Sequence, residues 1–194
     1  MCTIKGFRNT RIDEVLVMAG VPKGSFYHYF PSKDAFGEAV IRQYADYFYG
    51  KLDRFLSNGA QPPLERLRAF IQDARKNMAR FKFQRGCLVG NLGQELGDAN
   101  HAFRSQLEQV LQSWQARTAA CLDEAAARGH IAAGSDTAAL AEFFWIGWEG
   151  AILRAKLSKS VQPIERFSSL FFDRVLEAAN LPDPVPPSGA GPKG

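Results

Sequence analysis

The chain has 194 residues, 46% of them hydrophobic, with three cysteines and a net charge of +4 at pH 7. That is enough apolar material for a core burying about 70% of the unfolded surface, and no apolar run approaches the ~18 residues of a membrane span. The widely spaced Cys2, Cys87 and Cys121 argue against a disulfide framework, and with no signal peptide recognisable the expected location is the cytoplasm.

The charge is uneven. Residues 1 to 33 hold Lys5, Arg8, Arg11, Lys23 and Lys33 against Asp13 and Glu14, while the rest of the chain is nearly neutral. A basic end on a neutral body fits a protein that meets nucleic acid at that end.

Thr10 with Asp13 three residues later is a capping-box pattern, so a helix is predicted to start there and to bury Ile12, Val15 and Leu16. Gly20 ends it. Val21 bridges a tight turn to Pro22, whose fixed φ suits the first position of a second helix, and Pro31 stops that helix after barely two turns. Two short helices joined by a turn containing Gly make a helix-turn-helix, whose second member lies in the DNA major groove. Lys23 and Ser25 can donate from its leading turn, and Gly24 lets the backbone come close. Tyr27 and His28 are placed to reach phosphate, while Phe26 and Phe30 face inward at i, i+4 spacing. Ser32 caps a third helix, where Lys33 joins the unpaired N–H groups as a second phosphate-binding point. A core hairpin rich in aromatics would account for Phe26 and Phe30 but not for Lys23, Ser25 and His28.

The run VPKGSFYHYFPSKDAF resembles the recognition-helix signature of TetR-type repressors, with Tyr27, His28, Phe30 and Lys33 at matching positions. The resemblance implies an all-α protein. A helix-turn-helix head over residues 1–50 would place Thr10, Lys23, Gly24, Ser25, Tyr27, His28 and Lys33 against double-stranded DNA. A helical ligand-sensing and dimerisation body would span 51–181. Heads of this type carry a full helix before the pair. Here Met1 to Phe7 stands in its place, with Lys5, Gly6 and Phe7 like that helix's ending. The head is therefore expected to be incomplete, with apolar faces around Val15, Leu16 and Val40 partly bare and weak operator binding.

From Ser32 to about Leu56 a long helix should join head to body, with Phe36, Val40, Tyr44, Tyr47, Phe48 and Phe55 as its apolar or aromatic positions. Residues 57–61 form a loop, and Pro62-Pro63 opens a helix whose Leu64, Leu67, Phe70, Ile71, Ala74, Met78 and Phe81 follow 3 and 4 spacing. Residues 85–95 are poor helix material, because three glycines interrupt an apolar run, and they would leave room for something else. A long helix follows from about Asn100 to Arg128, stopped by Gly129. Ser135 or Asp136 caps the next, apolar nearly all round and so expected to be buried on most sides. Pro163 opens a last helix to about Asn180, and 182–194 reads as a disordered tail. Two terminal helices this apolar imply a partner. In TetR-like proteins they pair with their twins, so the resemblance implies a homodimer on a palindromic operator.

The body carries a second resemblance. RGCLVGNLGQE, residues 85–95, and FWIGWEGAILRAKL, residues 144–157, are similar to the branch of TetR regulators that respond to acrylate, and more distantly to the branch responsive to N-ethylmaleimide. This implies a small-molecule inducer. It also puts Cys87 on the position of an oxidant-reactive cysteine and Lys156 on that of its partner, although the pattern after the cysteine is not kept. A thiolate is the reactive form, and Arg85 with a nearby Lys156 would lower the thiol's pKa. Otherwise Cys87 is a small buried hydrophobe. A pocket for a short unsaturated acid needs apolar walls and a few fixed polar groups. Trp114, Trp145 and Trp148 could be walls or core, and Asn91, Arg154 or Lys156 could hold a carboxylate. Glu149, costly to bury alone, would pair with Arg154 or Lys156.

Two other classes compete. A thiol-dependent enzyme on Cys87 fares badly, because His28, His101 and His130 are scattered, none lies at metal-ligand spacing and no phosphate loop is present. No cofactor or metal is expected. A truncated ligand-binding protein or dominant partner with little DNA binding is the remaining alternative.

Overall fold

A computed structural model describes residues 2–98 and 100–178, entirely in helices and their connections, with no strand among the described residues. The expected tail at 182–194 lies outside the described residues. The head holds α1 (Cys2–Lys5), α2 (Ile12–Ala19), and a 3-10 turn (Lys23–Ser25) running into α3 (Phe26–Tyr29). The body holds α5 (Pro63–Arg80), α6 (Leu88–Leu96), α7 (His101–Ala127), α8 (Thr137–Ser158) and α9 (Gln162–Leu170). The latter continues through a π turn (Phe171–Val175) into α10 (Leu176–Ala178). α4 (Lys33–Leu56) belongs to both.

The helix ends follow their caps. Ser32 Oγ accepts from the Ala35 N–H at 3.0 Å, Asn100 Oδ1 from Ala102 at 2.9 Å, and Asp136 Oδ1 from Ala139 at 2.9 Å. Gly129 takes φ +72° where the chain leaves α7, a left-handed stop that a side chain would strain.

The start of α2 departs from the expected capping box. Arg11 is the N-cap and its N–H donates to Glu14 Oε2 at 3.3 Å. Thr10 is buried instead, its hydroxyl donating to the Gly6 carbonyl at 2.6 Å. Pro22 likewise stands one residue before the 3-10 turn rather than inside the helix. Leu16 is buried and Val15 and Val40 are half-buried, while Val17 and Met18 beside them are exposed.

The glycine-rich stretch is helical after all. Leu88, Val89, Leu92 and Leu96 are buried, and their packing outweighs a propensity cost of about 1 kcal/mol per glycine.

One continuous core runs along α4, α5, α7 and α8. At its centre Phe48 lies 4.3 Å from Trp114 and Trp114 lies 4.9 Å from Trp145, ring centre to ring centre. α8 was expected to be buried on most sides, yet Phe143, Ile146, Leu153 and Leu157 are exposed, Ile146 and Leu157 by 65% and 69%. A single chain covers only one face of this helix.

Candidate functional site

Where α4, α5, α6 and α8 converge, they enclose a cavity of about 230 Å³. Its apolar walls include Phe48, Phe70, Met78, Phe81, Trp148 and Ile152, and its polar groups include Tyr44, Lys51, Asn77, Arg85 and Cys87. The link from α5 to α6 is strained beside it: Lys82 and Phe83 take φ of +50° and +56°, unusual for residues with side chains.

Cys87 is the N-cap residue of α6 but its side chain makes no capping bond. It is half-buried, lines the cavity and has the Glu149 carboxyl behind it. Gly90, one turn into α6, makes room for that carboxyl: a Cβ there would overlap Glu149 Oε2 and stand 3.2 Å from Cδ. Burial pushes the Glu149 carboxyl up to about 7, with Cys87 acting in the opposite sense by less. Burial, then the Glu149 charge, push the Cys87 thiol well above its usual value, and the Val89 and Gly90 N–H groups pull it back by less. Tyr44 lines the cavity as well, and burial raises its pKa too. The cavity is thus lined here by a thiol and a phenol whose pKa values burial raises, with a carboxyl of raised pKa behind them.

Of the two alternatives for Cys87, this arrangement favours the buried thiol over the thiolate. Arg85 sits over the Phe81 ring, 3.7 Å from its centre, and Lys156 Nζ donates to the Thr3 carbonyl at 3.5 Å. Neither figures among the groups that shift Cys87. Nor does Glu149 form an ion pair with Arg154 or Lys156 among the described residues, and its Oε1 has no hydrogen-bond partner there.

The expected ligand residues divide. Cys87 and Trp148 line the cavity, and Glu149 stands directly behind it. Trp114 and Trp145 are core, not walls: both are essentially unexposed, and Trp145 Nε1 donates to Thr118 Oγ1 at 3.0 Å. Arg154 is exposed on the outer side of α8 beside Gly147 and Gly150, away from the cavity. Asn91 Nδ2 donates to the Thr3 carbonyl at 3.3 Å, so Asn91 and Lys156 hold α1 rather than a ligand. Tyr44, Lys51 and Asn77 were not expected in the site. Their only signal is polarity at positions where helical spacing calls for apolar residues.

α6 also reaches the head. At its far end Glu95 accepts from the Phe7 N–H at 2.8 Å and the Arg8 N–H at 2.6 Å. Phe7 packs edge-on against Phe103, ring centres 5.8 Å apart, both pressed on Gly37 of α4.

In the head, α2 ends in a Schellman turn: Gly20 takes φ +66° while the Val21 N–H donates to the Leu16 carbonyl at 3.0 Å. Phe26 is buried against Phe30 and Phe36. That packing turns Lys23, Gly24, Tyr27, His28 and Tyr29 outward, with Ser25 half-buried. The Lys23 side chain is 82% exposed and paired only with Asp13 at 3.2 Å, a contact weak enough to exchange for phosphate. Lys33 is differently placed: Nζ donates to the Arg8 carbonyl at 3.0 Å and lies over the Phe7 ring. Thr10, buried, faces away from this surface. Tyr29, 70% exposed, joins it unexpectedly. Among the described residues no three His, Cys, Asp or Glu side chains gather as metal ligands would, and no helix is long and apolar enough to cross a membrane.

Comparison with known proteins assigns the two halves. Residues 4–40 match the family of bacterial regulatory proteins, tetR family, and residues 63–171 match the tetracyclin repressor-like C-terminal domain. The chain belongs to the TetR family. It is therefore a DNA-binding transcriptional regulator with an N-terminal helix-turn-helix and a helical body. This TetR-type chain is 52% identical to the transcriptional regulator AcuR of Cereibacter sphaeroides over 169 residues, covering 87% of the chain and 77% of AcuR. It is 30% identical to the transcriptional repressor NemR of Escherichia coli, covering 85% and 83%. The crystal structure of a regulatory protein TetR from Rhodobacter sphaeroides superposes with a TM-score of 0.84 at 51% identity, covering 88% of this chain and 90% of that one.

Proposed function

We propose that this TetR-type regulator is a cytoplasmic, homodimeric repressor, its head over 1–50 and its body over 51–181, released from a palindromic operator by a small electrophile or unsaturated acid such as acrylate. Lys23, Gly24, Ser25, Tyr27 and His28 form the DNA-reading surface, helped by Tyr29. Lys33 acts on DNA only indirectly, by holding the segment before α2 through the Arg8 carbonyl. The exposed Phe143, Ile146, Leu153 and Leu157 of α8, with Leu170 of α9, form the face that meets the second copy.

One observation carries the reading: α6 touches the cavity at one end and the head at the other. Cys87 lines the cavity at its N-terminus, and Glu95 grips the Phe7 and Arg8 N–H groups at its C-terminus. A ligand wedged against Cys87 and Gly86 bears on α6, and any shift along that helix reaches the head through Glu95. To convert a mostly bound population into a mostly free one, the ligand must prefer the released state by about 5 kcal/mol.

The test is operator binding by the full chain before and after exposure to acrylate, with intact-mass analysis of the protein. Release without a mass change supports reversible occupation of the cavity. Release with an adduct on Cys87 supports a covalent route through the same helix. Unchanged binding at saturating acrylate contradicts the inducer assignment.

A further inference from the structure

Two of the cavity's lining residues are charged, Lys51 and Arg85, and both are cations; no carboxylate lines it. This stands out because the body around it is nearly neutral. The Lys51 side chain is only 11% exposed and its ammonium lies over the Phe48 and Phe70 rings, 5.9 and 5.7 Å from their centres. Its anionic partner, Asp73, is 2.7 Å away and more exposed. The Asp73 carboxylate also takes the Asn77 amide at 3.0 Å. An ammonium has three N–H donors, so one ion pair leaves it able to hold a second acceptor inside the cavity. Arg85, stacked on Phe81, presents its guanidinium along the same lining.

The rest of the lining carries no charge: Cys87 and Tyr44, whose pKa values burial raises, stand among apolar residues such as Trp148 and Ile152. The volume suits a molecule of a few heavy atoms, below the ~300 Å³ at which drug-sized sites begin.

We propose that Lys51 and Arg85 recognise an anion in this cavity, so that it selects short carboxylates over neutral compounds of the same shape. The inference rests on the cavity being the inducer site but concerns which ligands enter it. A buried cation whose carboxylate partner lies toward solvent gains from a second anion more than from a neutral amide, because charge-assisted hydrogen bonds are roughly twice as strong as neutral ones. The same reasoning assigns the carboxylate to residues that the resemblance to other regulators did not indicate, in place of Asn91, Arg154 and Lys156.

Isothermal titration of the full chain with acrylate, propionate and acrylamide separates charge from unsaturation. Acrylate and propionate should bind within a few-fold of each other, and acrylamide at least tenfold more weakly. Lys51→Met and Arg85→Gln should each weaken acrylate by tenfold or more and acrylamide by several-fold less than that, with circular dichroism confirming the fold. Arg85→Gln keeps the test sound if Lys51→Met does not fold. Acrylamide binding as tightly as acrylate, or acrylate affinity unmoved in a folded variant, overturns the charge selection while leaving the cavity as the inducer site. Binding of none of the three overturns both.

Discussion

Glu95 accepts from the Arg8 N–H at 2.6 Å and so joins the last turn of a body helix to the backbone of the DNA-reading head. A second bond, from the Phe7 N–H at 2.8 Å, makes the grip bidentate. Gly6 is what lets the carboxylate come so close. Its φ is +83°, and a Cβ there would stand 2.7 Å from Glu95 Oε2.

Two hydrogen bonds to a charged acceptor contribute about 1.5–3 kcal/mol each when buried and less at a part-exposed site. Glu95→Ala should therefore lower the unfolding free energy by about 1–2 kcal/mol. Its larger effect should be on coupling: the ligand should still bind the body, but its influence on operator affinity should shrink several-fold. Calorimetry and operator titration on the same variant check both. Undiminished release by ligand in Glu95→Ala would show that the signal runs elsewhere.

Glu149 makes a pH prediction. Its folded pKa, about 7, lies above the ordinary carboxyl value of 4.5. The folded state therefore binds the proton more tightly than the unfolded one. This group's contribution is fully present below pH 4.5, declines as pH rises, and is lost above about 7. Glu149→Gln should remove that decline, so the variant's melting temperature relative to the wild type's should rise steadily from pH 5 to pH 8. Parallel pH profiles for the two proteins would contradict the assignment.

Gly90 gives a double-mutant test of the same contact. In an ordinary helix interior Gly→Ala gains about 1 kcal/mol. Here the new methyl would meet Glu149 Oε2, and overpacking of this kind costs about 1–3 kcal/mol. Gly90→Ala should destabilise the wild type but be neutral or stabilising when Glu149 is already Ala, a coupling that urea denaturation can measure.

Much of the fold was legible because helix ends carry local chemistry. Ser32, Asn100, Asp136 and Gly129 act where their side chains or φ preferences predict. The α6 helix was not, because its glycines lower helix propensity and only tertiary burial of Leu88, Val89, Leu92 and Leu96 restores it. In the head, the outward Lys23, Tyr27 and His28 followed from spacing around Phe26, but Thr10 and Lys33 did not, since their partners, Gly6 and Arg8, are met only in three dimensions. The cavity was half legible. Cys87 and Trp148 stood out as residue types, whereas Tyr44 and Lys51 are hidden within the stripe of α4 that also supplies Phe48. The partner of Glu149 could not be read at all, because nothing local links it to Cys87.

The tryptophans separate core from site. Trp114 is unexposed and its indole N–H has no partner among the described residues, so Trp114→Phe should be tolerated, while Trp114→Ala should cost about 3–5 kcal/mol. Trp148 lines the cavity, so Trp148→Phe should change ligand affinity more than stability. Thermal melts and ligand titrations on the three variants give the comparison.

Operator binding should weaken steeply with salt, since phosphate contacts release counterions; neutralising about six phosphates across a dimer gives a log–log slope near −5. Lys23→Ala should make that slope shallower, Tyr27→Phe should weaken binding with the slope nearly unchanged, and Arg154→Ala should leave both unchanged.

On the proposed function, occupation of the cavity beneath Cys87 controls DNA affinity. The affinity of the full chain for the palindrome it selects from random duplexes, read by fluorescence anisotropy and titrated with acrylate at fixed salt, should fall at least tenfold at saturation in the wild type and much less in Glu95→Ala. An operator affinity that stays constant while calorimetry shows the cavity filled would rule this control out.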